Sequence, residues 1–190
     1  MRIATYNVEW FNDLFDNNDR LFLDDKWSAR YNVTTRQQSD ALGAVFRAMD
    51  ADAVLVVEAP DHSKHRSTVK ALEHFADHYG LRTSKACIGF PNDTRQEIAL
   101  LYDPRKISVR HAPMASETAP QFDQDIMIEF EGGEGEERFT FSKPPLELVV
   151  SPVTGTPFRL IGTHMKSKAP HGASDISEEV RIALQNRRKQ

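Results

Sequence analysis

Asn7, Glu58 and His164 are the residues of this chain best placed to do chemistry, because each ends a short apolar run. Asn7 follows Arg2-Ile3-Ala4-Thr5-Tyr6, and Glu58 follows Asp52-Ala53-Val54-Leu55-Val56-Val57. His164 follows Phe158-Arg159-Leu160-Ile161-Gly162-Thr163. In layered α/β folds, a rigid sheet positions polar groups at strand ends while the loops above leave room for a substrate. Three such coincidences in one chain point to an active site. Their types suit attack at phosphorus, which needs charge neutralised on the phosphoryl oxygens, a deprotonated water and help for the leaving oxygen. Magnesium prefers oxygen ligands and keeps several waters, so one or two protein carboxylates suffice to hold it. Glu58 is the natural anchor, and Asn7 can hold the metal shell or a phosphate oxygen through its amide. An imidazole near the phosphate can donate hydrogen bonds to the developing negative charge. Glu97 reads as the group that orients His164 by accepting its second N–H, which would raise the imidazole pKa. A structural ion pair with Arg95 explains Glu97 equally well.

The elements that must position these residues alternate at first. Residues 2–8 and 53–57 read as strands, the second a continuous apolar run of the kind covered on both faces. Residues 37–49 carry Leu42, Val45, Phe46 and Met49 at helical spacing, and residues 67–79 place Val69, Leu72, Phe75 and Ala76 inward, with Gly80 as the stop. Residues 12–25 read as a long polar and aromatic loop. The middle is different: 81–89, 98–103, 107–111, 126–130 and 138–141 are short strands between turn residues, with Gly132-Gly133-Glu134-Gly135 as a hairpin loop. Residues 146–150 and 158–162 form a further predicted hairpin, and residues 177–190 a final helix capped by Asp175 or Ser177. No repeat, linker or composition shift divides the chain, so residues 1–190 read as one mixed α/β domain.

Composition bounds the partners. The 190 residues include 24 basic and 28 acidic side chains, a net charge of −4, and the mean hydropathy is −0.53. Bulk positive charge therefore does not hold nucleic acid here, and any attraction for phosphates is local, through a divalent cation or the Lys166 and Lys168 pair. No apolar run approaches the roughly 20 residues that a membrane span requires. Arg2 opens directly into the first strand, which predicts a cytoplasmic protein. The single cysteine, Cys87, rules out an intramolecular disulfide and a cysteine-based zinc cluster.

The ordered motifs resemble a known family. Ile3-Ala4-Thr5-Tyr6-Asn7-Val8-Glu9-Trp10-Phe11 is similar to the opening strand of the endonuclease/exonuclease/phosphatase superfamily, which includes deoxyribonucleases, abasic-site endonucleases, sphingomyelinases and inositol-polyphosphate phosphatases. Residues 52–58 resemble its second strand, ending in the metal-binding glutamate. Arg95-Gln96-Glu97-Ile98-Ala99-Leu100-Leu101-Tyr102 resembles the strand that follows, and Gly162-Thr163-His164-Met165-Lys166-Ser167-Lys168 the catalytic-histidine strand. That last run, with Ser142-Lys143-Pro144-Pro145-Leu146, is most similar to the bacterial nuclease-like branch. The resemblance implies a four-layer α/β sandwich, two mixed, largely antiparallel sheets flanked by helices. It implies a Mg²⁺- or Mn²⁺-dependent phosphodiester hydrolase, with Asn7 and Glu58 at the metal and His164 and Glu97 catalytic. The substrate would be DNA or RNA; a phosphomonoesterase or a lipid-headgroup phosphodiesterase is the alternative within the enzyme class.

The family's Gly-Asp-x-Asn strand end and terminal Ser-Asp-His triplet do not occur in the chain. The resemblance therefore implies that the last strands are missing and the domain is incomplete at its C-terminus. A catalytically inactive fragment or binding module is the corresponding reading from outside the enzyme class. Among the remaining candidates, His62, His65, His74 and His78 read as surface histidines rather than a metal site. Trp10 and Phe11 read as core or loop anchors rather than a base-stacking platform.

Overall fold

The computed structural model describes residues 1–30, 32–114, 117, 126–129, 136–139 and 143–165. Lys166, Lys168, His171, the glycine-rich loop 132–135 and the expected helix 177–190 lie outside the described residues. Four strands form one sheet in the order β1-β2-β4-β3: β1 Ile3–Asn7, β2 Ala53–Ala59, β3 Lys85–Ile88 and β4 Glu97–Tyr102. β1 runs parallel to β2, and the other pairs are antiparallel. A second sheet, β5-β8-β9, is wholly antiparallel and contains β5 Ile107–His111, β8 Leu146–Pro152 and β9 Phe158–Gly162. β6 Ile126–Glu129 and β7 Glu136–Phe139 make a separate two-stranded ribbon.

Two helices cover one face of the first sheet. α1, Thr35–Met49, starts two residues earlier than its apolar spacing predicts because Thr34 and Gln37 form a reciprocal capping box: Thr34 Oγ1 accepts from the Gln37 N–H at 3.2 Å, and Gln37 Oε1 accepts from the Thr34 N–H at 2.9 Å. α2, Thr68–His78, is capped by Ser67 and ends before Gly80, whose φ of 60° only glycine adopts without strain. Leu42 and Phe46 of α1 and Leu72 and Phe75 of α2 pack on Val54, Val56, Ala99 and Leu101. Val45, expected on that face, is exposed, and Ser39 and Gly43 are buried instead. Gly43 is required there: a Cβ would lie 2.4 Å from the Tyr79 ring.

The opposite face of the first sheet meets the second sheet. Ala53, Ile98 and Leu100 share a core with Ile107, Leu146, Leu148 and Val150. The chain is therefore an α/β protein whose described residues form sheets of four and three strands beside the β6-β7 ribbon, with helices on the outer face of the largest sheet. Among the described residues no helix covers the outer face of the smaller sheet, so three of the four expected layers are described. The strand bounds at β3 and β7 also differ from expectation. β3 begins four residues later than the apolar pattern suggests, because residues 81–84 lead from α2 into the sheet, and β7 begins two residues earlier.

Candidate functional site

Strand direction brings one set of strand ends to the same edge of the two sheets. β1 and β2 are parallel, so their C-terminal ends lie together, with the Val8 N–H donating to Val57 O at 2.9 Å. β4 is antiparallel to β2 and starts beside the end of β2. In the second sheet, β8 starts where β9 ends. Gly162, at the end of β9, lies against Leu55 and Ile98 of the first sheet, closely enough that a Cβ would come within 2.7 Å of Leu55 Cδ1. Two residues later comes His164.

Glu58 reaches this edge through an irregularity. In a regular strand, residue 58 would share the helix-facing side with Val54 and Val56. A register shift between Val57 and Ala59 gives that place to Ala59 and leaves Glu58 outside the core. The bulged Glu58 has φ 60°, a region that costs a residue with a Cβ roughly 1–2 kcal/mol. Bulges and left-handed residues of this kind are where sheets re-aim a functional side chain.

Around the Glu58 carboxylate the groups converge. Asn7 Nδ2 donates to Glu58 Oε1 at 3.4 Å, and His164 Nε2 lies 3.5 Å from the same oxygen. Gln96 Nε2 donates to Glu58 Oε2 at 2.9 Å, while Gln96 Oε1 accepts from Lys143 Nζ at 2.6 Å. The His164 imidazole is held below its ordinary pKa, chiefly by burial and also by the Lys143 charge, with Glu58 opposing. Its Nδ1 is buried without a hydrogen-bond partner among the described residues. Three of the four expected site residues, Asn7, Glu58 and His164, therefore meet at one carboxylate oxygen.

Glu97 does not join them, which corrects the expectation that it orients His164. Along β4, Glu97 shares the helix-facing side with Ala99 and Leu101, opposite Ala59, while Ile98 and Leu100 face the second sheet. The side chain that reaches the site is thus its neighbour, Gln96. Glu97 accepts instead from Asn92, through Nδ2 at 2.8 Å and the backbone N–H at 3.4 Å, and from the backbone of His62. No ion pair joins it to Arg95 among the described residues. Burial raises its pKa to about 7, against those hydrogen bonds. Its place is structural: it ties the loop after β3 to the loop after β2.

Gln96 and Lys143 are the site residues that the sequence reading did not single out. Both were visible only as polar residues flanking strands, and their contact spans 47 residues. Two hollows adjoin the site. A small one of about 180 Å³ is lined by Glu58, Gln96, Arg95, Trp10 and Asn12 among others. A larger cleft of about 890 Å³ shares Arg95 with it and adds Lys64, His65, Arg66, Asp61 and Asp93. Phe11 is fully buried, as an anchor should be, whereas Trp10 is exposed and lines the small hollow. His74 donates to Asp19 O at 2.8 Å from an exposed position on α2.

The donor set fits a hard cation. Glu58 supplies two carboxylate oxygens, and Asn7 Oδ1 accepts no hydrogen bond among the described residues. Among those residues no cluster of three or more His, Cys, Asp or Glu side chains could hold a metal ion. Among the described residues no helix is long and apolar enough to cross a membrane. The chain matches no protein-family model, no curated protein and no solved structure.

Proposed function

We propose that the chain is a divalent-metal-dependent phosphodiester hydrolase acting on nucleic acid. The observation that carries this reading is the meeting of Asn7, Glu58 and His164 at one carboxylate oxygen, from three separate strand ends. Those are the residues through which the chain resembles the endonuclease/exonuclease/phosphatase superfamily. Glu58 and Asn7 would hold Mg²⁺ or Mn²⁺, which when bound neutralises phosphoryl charge and acidifies a water. Glu58 Oε1 favours the proton of a neutral His164 on Nε2, and with Glu58 committed to a cation that N–H becomes available to a phosphoryl oxygen. A donor fixed in a partly dry site stabilises developing negative charge better than one that must reorient. Lys143, through Gln96, holds a second positive charge within reach and keeps the Glu58 carboxylate aimed.

The test is cleavage of plasmid DNA with Mg²⁺, with Mn²⁺ and with EDTA. Metal-dependent cleavage that is lost in Glu58→Ala is expected; cleavage unaffected by that substitution would sink the assignment. A second reading, hydrolysis of a small phosphoester, is favoured by the net charge of −4 and by the small size of the hollow at Glu58. Salt separates the two. Binding of a nucleic acid through several phosphates weakens steeply with ionic strength, and binding of a small substrate does not.

A further inference from the structure

Trp10 borders the site, and no role proposed above uses it. It is 44% exposed, between buried Val8 and buried Phe11. Its φ is 62°, a conformation that bulky side chains rarely adopt. The indole Nε1 donates to Glu9 Oε1 at 3.1 Å, and Arg30, 21 residues away, pairs with the other oxygen of the same carboxylate. The edge of the ring thus donates to a carboxylate that is itself paired. Trp10 lines the hollow of about 180 Å³ together with Glu58 and Gln96. That volume is below the roughly 300–1,000 Å³ of sites that enclose a drug-sized ligand, so one small group enters and the rest of a ligand stays outside.

We propose that Trp10 is the stacking platform for a nucleobase next to the scissile phosphate, which narrows the substrate to nucleotides and their polymers. This rests on the hydrolase reading above for its place beside a reacting phosphate. An exposed indole face attracts any planar π ring, and base-on-aromatic stacking is largely indifferent to sequence. An inositol ring has no π face to offer. A quaternary ammonium headgroup is usually recognised by a cage of several aromatics, and Phe11, the other aromatic at this hollow, is buried.

The direct test uses Trp27→Phe, which removes a tryptophan that is 71% exposed and leaves Trp10 as the only indole. Its emission is followed during titration with dAMP, ribose 5-phosphate or phosphocholine, in Mg²⁺. Saturable quenching by dAMP alone is expected. Calorimetry should show Trp10→Ala weakening dAMP binding roughly tenfold, with Trp10→Phe retaining most of it, while inorganic phosphate binds all three proteins alike. Equal quenching by ribose 5-phosphate or phosphocholine would overturn the proposal, as would unchanged dAMP affinity in a folded Trp10→Ala. Metal-dependent DNA cleavage without dAMP quenching would refute the stacking role and spare the hydrolase reading. Quenching without cleavage of any phosphodiester would do the reverse.

Discussion

Glu58 Oε1 lies 3.5 Å from His164 Nε2, and the two residues stand at or just beyond strand ends of different sheets. The site is therefore closed across the seam between the sheets, and its electrostatics depend on both. Burial and the Lys143 charge depress the His164 pKa, and Glu58 acts against them. In metal-free protein, Lys143→Gln should raise the His164 pKa and Glu58→Gln should lower it. NMR titration of the imidazole carbon-bound protons reads both directly, and shifts in the same direction would contradict the arrangement.

Gly162 sets the distance between the sheets where His164 leaves β9. Its φ needs no glycine; the close approach of Leu55 and Ile98 does. Gly162→Ala should cost about 1–3 kcal/mol in chemical denaturation, the usual range for an overpacked core. Because the strain falls two residues before His164, catalytic activity should drop more than the lost stability accounts for. A fully active, equally stable variant would show that the seam is looser than described.

The left-handed bulge at Glu58 holds strain that function would explain and stability would not. Removing the side chain without relieving the backbone, as in Glu58→Ala, should leave the protein less stable than Glu58→Gly by about 1 kcal/mol. Thermal unfolding of the two variants side by side gives the comparison. If alanine proved the more stable, residue 58 would not hold φ near 60° in solution.

Glu97 makes the fold pH-dependent. Its carboxyl titrates near 4.5 when unfolded and at about 7 when folded. The folded chain thus keeps a proton that the unfolded chain has lost between those values. The associated stability is fully present below 4.5 and is lost as pH rises through about 7, on the order of a few kcal/mol in total. Glu97→Gln should flatten this decline, so the stability difference between wild type and variant at pH 5 and at pH 8 isolates the effect. A difference that does not change with pH would mean that Glu97 titrates normally.

Much of this architecture was legible in local pattern. The β2 run Ala53-Val54-Leu55-Val56-Val57 and the helical spacing of Leu42, Phe46 and Met49 determine which faces are buried, and burial is what periodicity encodes. Strand-end placement likewise singled out Asn7, Glu58 and His164, which the fold brings together. What was not legible depends on register. Whether Gln96 or Glu97 reaches the site depends on which face of β4 meets the helices, and one residue of slip exchanges their faces. The Lys143–Gln96 contact links residues 47 apart, and no local signal announces it. An aromatic after an apolar strand usually packs inward, as Phe11 does, whereas Trp10 has a left-handed backbone and is exposed.

The most direct test of the site is metal binding itself. Mn²⁺ titrated into the wild-type chain and into Glu58→Gln can be followed by electron paramagnetic resonance of the free ion. One Mn²⁺ bound per wild-type chain, displaced by excess Mg²⁺ and lost in Glu58→Gln, is the expected result. Equal binding by the two proteins, or none by the wild type, would contradict a cation held by Glu58 at the seam of the two sheets.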